Sequence, residues 1–528
     1  MNERNQILIA MLLNGENQTE KMLQQRMLSS LVKELEDEST LDNDEFILLV
    51  EDVAGSRPLS VKYMRKLLDQ TGAFGFHNGV CAYNKDFGLN GDRMEWEDFR
   101  TLFGMQKVSP IVATDDAEKD AIVNGIKWCV HMTQLAENEE MQGLPAFLRC
   151  GDRDELIGSK VAGTATSDAL SLLCNGIEYL SECDIDAHVL TKCFCFLINQ
   201  ILGCQCKKEK WDCGGFYPLE DQPDAEHPTV DATCLAMMAL CDFYSNWATL
   251  EQELHIHIEY NKVLIEQAVM EGLAFLFRME QPEGSYGIYR YEAEYPDGST
   301  LDENCTTGFA MPNENCTRLV LSTMGVCKGS GIFDAVNQDE MYGICNGHIK
   351  KAYAYLKEKT AEYTGHSIWA PYFGDTPRNY PIADLVVSAA RVCRSFIPVW
   401  WLLEEEREMI QKYVMDFMYF WSQEAINVKG KVGRYNFKTP GTEKYSNGLY
   451  MWQSYPEMLA AFSVLQGYNL FGIPLKKEDW RLIDNTVQET LRMQHPHGHW
   501  NAPKTSNPFC AVTLAAIELL REYRKAKQ

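Results

Sequence analysis

One eight-residue string occurs twice in this chain, and it constrains the fold more than any other feature. Residues 279–286 read MEQPEGSY and residues 493–500 read MQHPHGHW, aligned without a gap. Met, Pro and Gly are identical, and an aromatic closes each copy as Tyr286 and Trp500. The match continues upstream, where Arg278 pairs with Arg492, Phe277 with Leu491 and Leu273 with Val487. Each copy is therefore a helix ending in Glu or Gln, then a Pro/Gly turn, then an aromatic. Self-similarity of this kind means one supersecondary unit copied along the chain. Such a unit cannot bury its apolar face alone, so neighbouring copies must stack.

Downstream of each turn a second pattern follows: a polar or proline-containing start, then small and apolar residues at helical spacing. It recurs at 166–180, 229–243, 313–327, 381–395, 455–469 and 507–521. These segments lack a wide charged face, which predicts helices buried on most sides. Between them lie amphipathic stretches at 120–134, 188–202, 261–281, 347–360, 408–423 and 481–494. The acidic run DDAEKD, 115–120, reads as the first turn of the first amphipathic helix. The chain thus alternates amphipathic helix, Gly/aromatic loop and buried helix about six times. Six hairpins can close into a ring with the buried helices inside, removing the edges that an open solenoid must cap. The expected fold is an all-α (α/α)6 toroid over residues 116–528, preceded by a mainly helical extension over 1–115. Within that extension, GAFGFHNGVCAYNKDFGLNGDRMEW reads as loop or hairpin.

The stretches EGLAFLFRMEQPEGSYG and ETLRMQHPHGHW resemble the QW-type repeat of terpenoid cyclases and prenyltransferase β subunits, in which a helix ending in Gln meets a Gly-x-Trp turn. Residues 211–240, WDCGGFYPLEDQPDAEHPTVDATCLAMMAL, share that look. The resemblance implies the toroid; activity belongs to the site and not to the fold. Class II terpene cyclases protonate an alkene or epoxide with an Asp-x-Asp-Asp motif that opens an inner helix. Aligned on Thr233, this chain offers Thr229-Val230-Asp231-Ala232, so Asp231 alone stands where the family keeps its proton donor. The resemblance therefore implies Asp231 as general acid, assisted by His227 four residues upstream, acting on an apolar substrate inside the ring. Such a donor needs a carboxyl raised by burial. The residues themselves favour a plainer role for Asp231, an N-cap accepting helix amides, with Asp168 of TSDAL at the equivalent repeat position. The zinc-binding Asp-x-Cys pair of prenyltransferases has no counterpart, because Asp212 and Cys213 are adjacent. The class I diphosphate motif is missing as well.

Composition narrows the partners. With 75 acidic against 49 basic side chains the net charge is −26, which disfavours nucleic acid and anionic lipid. No apolar run approaches the roughly 18–20 residues of a membrane span, and the N-terminus is a poor signal peptide. A cytoplasmic location is expected, and oligomeric state is not legible. In a reducing compartment the eighteen cysteines would be thiols packed as small apolar groups. Cys204, Cys206 and Cys213 lack the paired spacing of zinc sites and are read as buried or loop thiols, with a metal as the lesser alternative. His495, His497 and His499 fill slots that the sister copy gives to Gln281, Glu283 and Ser285, so they are read as an exposed turn before a metal site. No nucleotide or cofactor fingerprint is present, and no cofactor is expected.

The loops before the inner helices should line the mouth of the ring. Tyr286 and Trp500 recur in register and are expected to pack between hairpins. Trp369, Tyr372, Trp452, Phe216 and Glu314 are the expected ligand-binding residues, in a mouth made acidic by Glu220, Asp302 and Asp375. Two functions stand side by side: a terpenoid-cyclase-like enzyme, or a non-catalytic toroid that binds a protein, peptide or small ligand at that mouth.

Overall fold

The computed structural model describes residues 114–528 apart from several loops, the longest being 145–162, 291–311, 370–381, 428–436 and 501–509, together with two strand segments at 74–77 and 80–83. Within these residues twelve long helices occupy the positions that periodicity marks out. Six are outer helices: α1 (Ala117–Asn138), α3 (Ala187–Gly203), α5 (Lys262–Met279), α7 (Gln338–Glu358), α9 (Arg407–Asn427) and α11 (Lys477–Met493). Each is followed by an inner helix: α2 (Gly163–Asn175), α4 (Val230–Ser245), α6 (Glu314–Gly329), α8 (Ile382–Phe396), α10 (Ser454–Phe471) and α12 (Cys510–Lys527). Each inner helix packs on the next, and α12 packs back on α2, so the ring is closed. The outer ring closes through α1, which contacts α3, α11 and α12.

The repeated turn is what spaces the hairpins, and among the described residues it occurs three times. Gly284 and Gly498 adopt φ +89° and +95°, a conformation that costs a side-chain-bearing residue dearly. Both glycines also lie against the backbone of a neighbouring outer helix. A Cβ on Gly498 would sit 2.1 Å from the carbonyl oxygen of Asn124 on α1. After each glycine comes an aromatic whose amide donates to a threonine one turn into the following inner helix. The pairs are Tyr286 to Thr317 Oγ1 at 3.1 Å and Trp500 to Thr513 Oγ1 at 3.1 Å. Gly214 and Phe216 build a third copy, with Phe216 N donating to Thr233 Oγ1 at 2.9 Å.

A glutamine clamps two of these turns. Gln494 Nε2 donates to the Gly498 and Ala121 carbonyls, and Gln205 Nε2 donates to those of Gly214 and Ala268. The middle copy holds Glu280 at the position of Gln494. This carboxylate instead takes hydrogen bonds from His348, from Lys351 Nζ at 2.6 Å and from the Tyr286 hydroxyl at 3.2 Å. Burial works to raise the Glu280 carboxyl, but the bonds from His348 and Lys351 outweigh it and hold it below its ordinary range.

The aromatics that close the turns are core. Phe216, Tyr286 and Trp500 are almost fully buried. Trp369 is too: its Nε1 donates to the Leu356 carbonyl at 2.8 Å and its ring meets Phe396 and Tyr413 edge-on. Of the fifteen described cysteines, twelve are buried as small apolar groups. The two strand segments pair antiparallel as a hairpin, β1 (Phe74–His77) with β2 (Val80–Tyr83), as the Gly/aromatic composition there suggested; the remaining expectations for 1–113 lie outside the described residues. No helix among the described residues is long and apolar enough to cross a membrane.

Candidate functional site

Six parallel inner helices around an axis leave a central space, and each presents one face to it at i, i+4, i+7 spacing. Here that space is a cavity of about 1220 Å³. The face of α2 supplies Thr164, Asp168, Ser171 and Asn175; that of α4 supplies Asp231, Leu235, Met238 and Asp242. Helix α6 contributes Glu314 and Arg318, α8 contributes Arg391 and Arg394, α10 contributes Gln466, and α12 contributes Glu518 and Arg521. Five of the six inner helices thus put an ionisable side chain on the wall. The interior is mixed: these charged groups alternate with apolar ones such as Leu235, Met238, Leu319, Val387, Leu459 and Phe462.

These groups are held by one another. Ser171 Oγ donates to Asp242 Oδ2 at 3.0 Å, and Ser171 is one helical turn from Asp168, so α2 and α4 bring the two aspartates to the same region of the wall. Arg394 Nη2 donates to Glu518 Oε1 at 2.5 Å, with its guanidinium 4.8 Å from the centre of the Phe462 ring. Glu314 and Arg318, four residues apart on α6, pair at 2.8 Å. Arg521 joins α12 to α2 through Asn175 Oδ1 at 3.1 Å.

The electrostatics single out two carboxyls. Burial pushes Asp168 up to about 7; the nearby charge of Glu518 adds to the rise, and Arg394 and Arg391 oppose it. Asp242 is pushed up to about 7 by burial and by Glu518, against the hydrogen bond from Ser171 and the charges of Arg394 and Arg521. Both keep some surface towards the cavity space while lying deep inside the protein. Burial also raises Glu314, against the pull of Arg318 and Arg391. Two wall atoms, Glu518 Oε2 and Gln466 Oε1, are buried and accept no hydrogen bond from the described residues.

The sequence-derived candidates land unevenly. Asp231 does line the cavity, at the second residue of α4. The N-cap there is Thr229, whose side chain accepts from Ala232 N at 3.3 Å, and the Asp231 carboxylate accepts from the same first-turn amide at 3.0 Å, as a capping carboxylate would. Asp168 is not a cap; it lies in the second turn of α2, because that helix starts at Gly163, earlier than the repeat alignment suggested. His227 is absent from the cavity lining, and its ring stands edge-on to Tyr289. Phe216 and Trp369 are packing residues and not mouth residues: the Gly214 turn carries Phe216 into the core, and Trp369 packs on Phe396 and Tyr413. Tyr372 and Trp452 lie outside the described residues, as do Glu220, Asp302 and Asp375. Glu314 lines the cavity wall.

Cys204, Cys206 and Cys213 sit around the first copy of the turn without gathering their thiols into a metal-sized group. Among the described residues the set close enough to hold an ion is His495, His497 and His499. Their turn is not exposed: His495 and His499 are buried, because it is wedged against α1 at the closure of the ring.

Sequence reasoning missed Asp242, Arg391, Arg394 and Glu518. The available signal was polar residues interrupting the small-apolar pattern of the inner helices at i+4 and i+7 spacing.

No protein-family model matches the chain, and neither does any curated protein sequence. Solved structures do match, at low sequence identity. A D-mannose isomerase superposes with a TM-score of 0.50 at 11% identity, covering 79% of this chain and 100% of its own. The cellobiose 2-epimerase of Bacillus thermoamylovorans gives 0.48 at 13% identity, covering 72% and 92%. The likeness to the isomerase agrees with the architecture that the helix contacts establish: the protein is a closed α/α toroid.

Proposed function

We propose that the protein is an enzyme that carries out proton transfer on a hydroxyl-rich substrate, a saccharide in chemical class, bound in the central cavity. The observation that carries this reading is the pair Asp168 and Asp242, two cavity carboxyls held at about 7 on adjacent inner helices. A group half ionised at neutral pH can serve as either acid or base, so one aspartate can donate while the other accepts. Polar side chains elsewhere on the wall suit a polyol: Asp231, Asn175 and Asn315 can accept from substrate hydroxyls, and Arg318, Arg391 and Arg394 can donate to them. An apolar polyene would meet no partner for these groups and would strip them of solvent. That weighs against the cyclase-like reading with Asp231 as acid. The D-mannose isomerase, a toroid of similar architecture, acts on a sugar by its name, which agrees with this substrate class.

The test is a panel of mono- and disaccharides assayed for turnover and for thermal stabilisation of the protein. Asp168→Asn and Asp242→Asn should each lower turnover by about 10²–10⁴-fold, the usual worth of a general acid or base. Asp231→Asn should leave most of the activity. The opposite pattern, loss only in Asp231→Asn, overturns the assignment.

A further inference from the structure

We propose that His495, His497 and His499 bind one divalent transition-metal ion of the zinc class, at a site separate from the central cavity. The candidate ligand atoms of the three side chains all lie within 4.8 Å of one another. The rings of His495 and His499 stack with centroids 4.3 Å apart, and His497 stands edge-on to both, at 4.5 and 5.9 Å. Nitrogens bound tetrahedrally at roughly 2.0–2.1 Å from zinc sit about 3.3 Å from one another. Closing the set around an ion therefore takes side-chain rotation and no rebuilding of the chain.

The backbone that presents the imidazoles is fixed without them. His495 N donates to the His499 carbonyl at 2.8 Å and Gly498 N to the His495 carbonyl at 2.7 Å. The sister turn makes the same two bonds, Gln281 N to Ser285 O at 3.0 Å and Gly284 N to Gln281 O at 2.8 Å. It does so with Gln281, Glu283 and Ser285 in the three slots, so the turn has no need of histidine. Gathering three of them is a property of this copy alone.

The chemistry of the set points to the ion. Three imidazole side chains gathered in one turn form an all-nitrogen donor set, and imidazole nitrogen is the commonest ligand of such metals. His497 N donates to His495 Nδ1 at 3.2 Å, which leaves Nε2 as the ligand atom of His495. An all-nitrogen set suits zinc, nickel or copper and disfavours calcium and magnesium, which prefer oxygen. Three protein ligands leave a fourth position to water or an exogenous group. The Trp128 ring, 5.3 Å from that of His499, supplies an apolar second layer from α1.

The experiment is zinc binding to the full-length reduced protein, by equilibrium dialysis and elemental analysis, for wild type and for the double variant His495→Gln/His499→Ser. Those substitutions install the sister turn's residues and should leave thermal unfolding in the absence of metal nearly unchanged. Wild type should hold one zinc equivalent more than the variant, with affinity in the variant reduced by at least about 100-fold. Cobalt(II) in the wild type should show d–d bands without a thiolate charge-transfer band. Equal zinc content in the two proteins, or cobalt bound through thiolate, overturns the proposal. Should the double variant fail to fold, His497→Ala at the half-buried position makes the same comparison, and unchanged metal content there overturns it equally.

Discussion

The Gly-x-aromatic turns and the cavity wall are built from the same hairpins, yet they follow opposite rules. At the turns the same geometry is made three times. Gly214, Gly284 and Gly498 have positive φ, the following aromatic is buried, and its amide meets a threonine of the inner helix. On the wall no two helices carry the same set: α2 offers Asp168, α8 offers Arg391 and Arg394, and α12 offers Glu518. What repeats is what every hairpin must do to pack on its neighbour. What does not repeat is free of that demand, and chemistry can be placed there.

This contrast can be broken by substitution, and the largest effect should come from the wall. Asp168→Asn or Asp242→Asn should abolish most turnover while making the protein more stable above neutral pH. Each carboxyl has a folded pKa of about 7, above the roughly 3.9 of an unfolded aspartate. The folded chain therefore holds a proton that the unfolded chain releases. The associated stability is fully present below about pH 4 and is lost as pH rises through about 7. Thermal unfolding at pH 5 and pH 8 should show the wild type losing stability relative to either variant, on the order of a few kcal/mol per group. A variant equal to wild type at both pH values would deny that these carboxyls are held protonated.

Turn substitutions should do the reverse, costing stability first and activity only through unfolding. Trp500→Ala empties a fully buried site and should cost about 3–5 kcal/mol in denaturant unfolding. Gly498→Ala combines φ +95° with a clash on the Asn124 carbonyl and should cost about 2 kcal/mol or more. If either change lowers turnover below the transition temperature as strongly as the aspartate changes do, turn and wall are not separable.

The smallest expected effect sharpens the comparison within the repeat itself. Glu280→Gln installs the residue of the sister copy but removes the negative charge and leaves one acceptor oxygen where His348 and Lys351 now use two. It should cost about 1–2 kcal/mol at pH 7, the worth of hydrogen bonds to a charged group. Because the folded Glu280 carboxyl lies below its ordinary range, its contribution is present at neutral pH and lost as pH falls through its folded value. The difference between wild type and variant should therefore shrink in acid, read from thermal unfolding at pH 7 and at pH 3.

The twelve helices and their order were legible because amphipathic and small-apolar patterns are local, and the turn was legible because its two clearest copies align without a gap. The site was not. Asp231 drew attention as the survivor of a motif, while Asp242, eleven residues on along the same helix face, carries the raised carboxyl. Trp369 and Phe216 looked like mouth aromatics, because a loop aromatic that packs inward reads the same in sequence as one that faces a ligand.

The sequence by itself determined that this chain is a ring of helical hairpins, since periodicity and repetition are written in neighbouring residues. Only the tertiary structure decided what the ring encloses. The pKa of Asp168 depends on Glu518 of α12 and on Arg391 and Arg394 of α8, residues more than two hundred positions away. It also decided that three histidines of one turn meet as a cluster wedged against the first helix of the ring. Burial and charge are set by which helices become neighbours, and that is fixed when the ring closes.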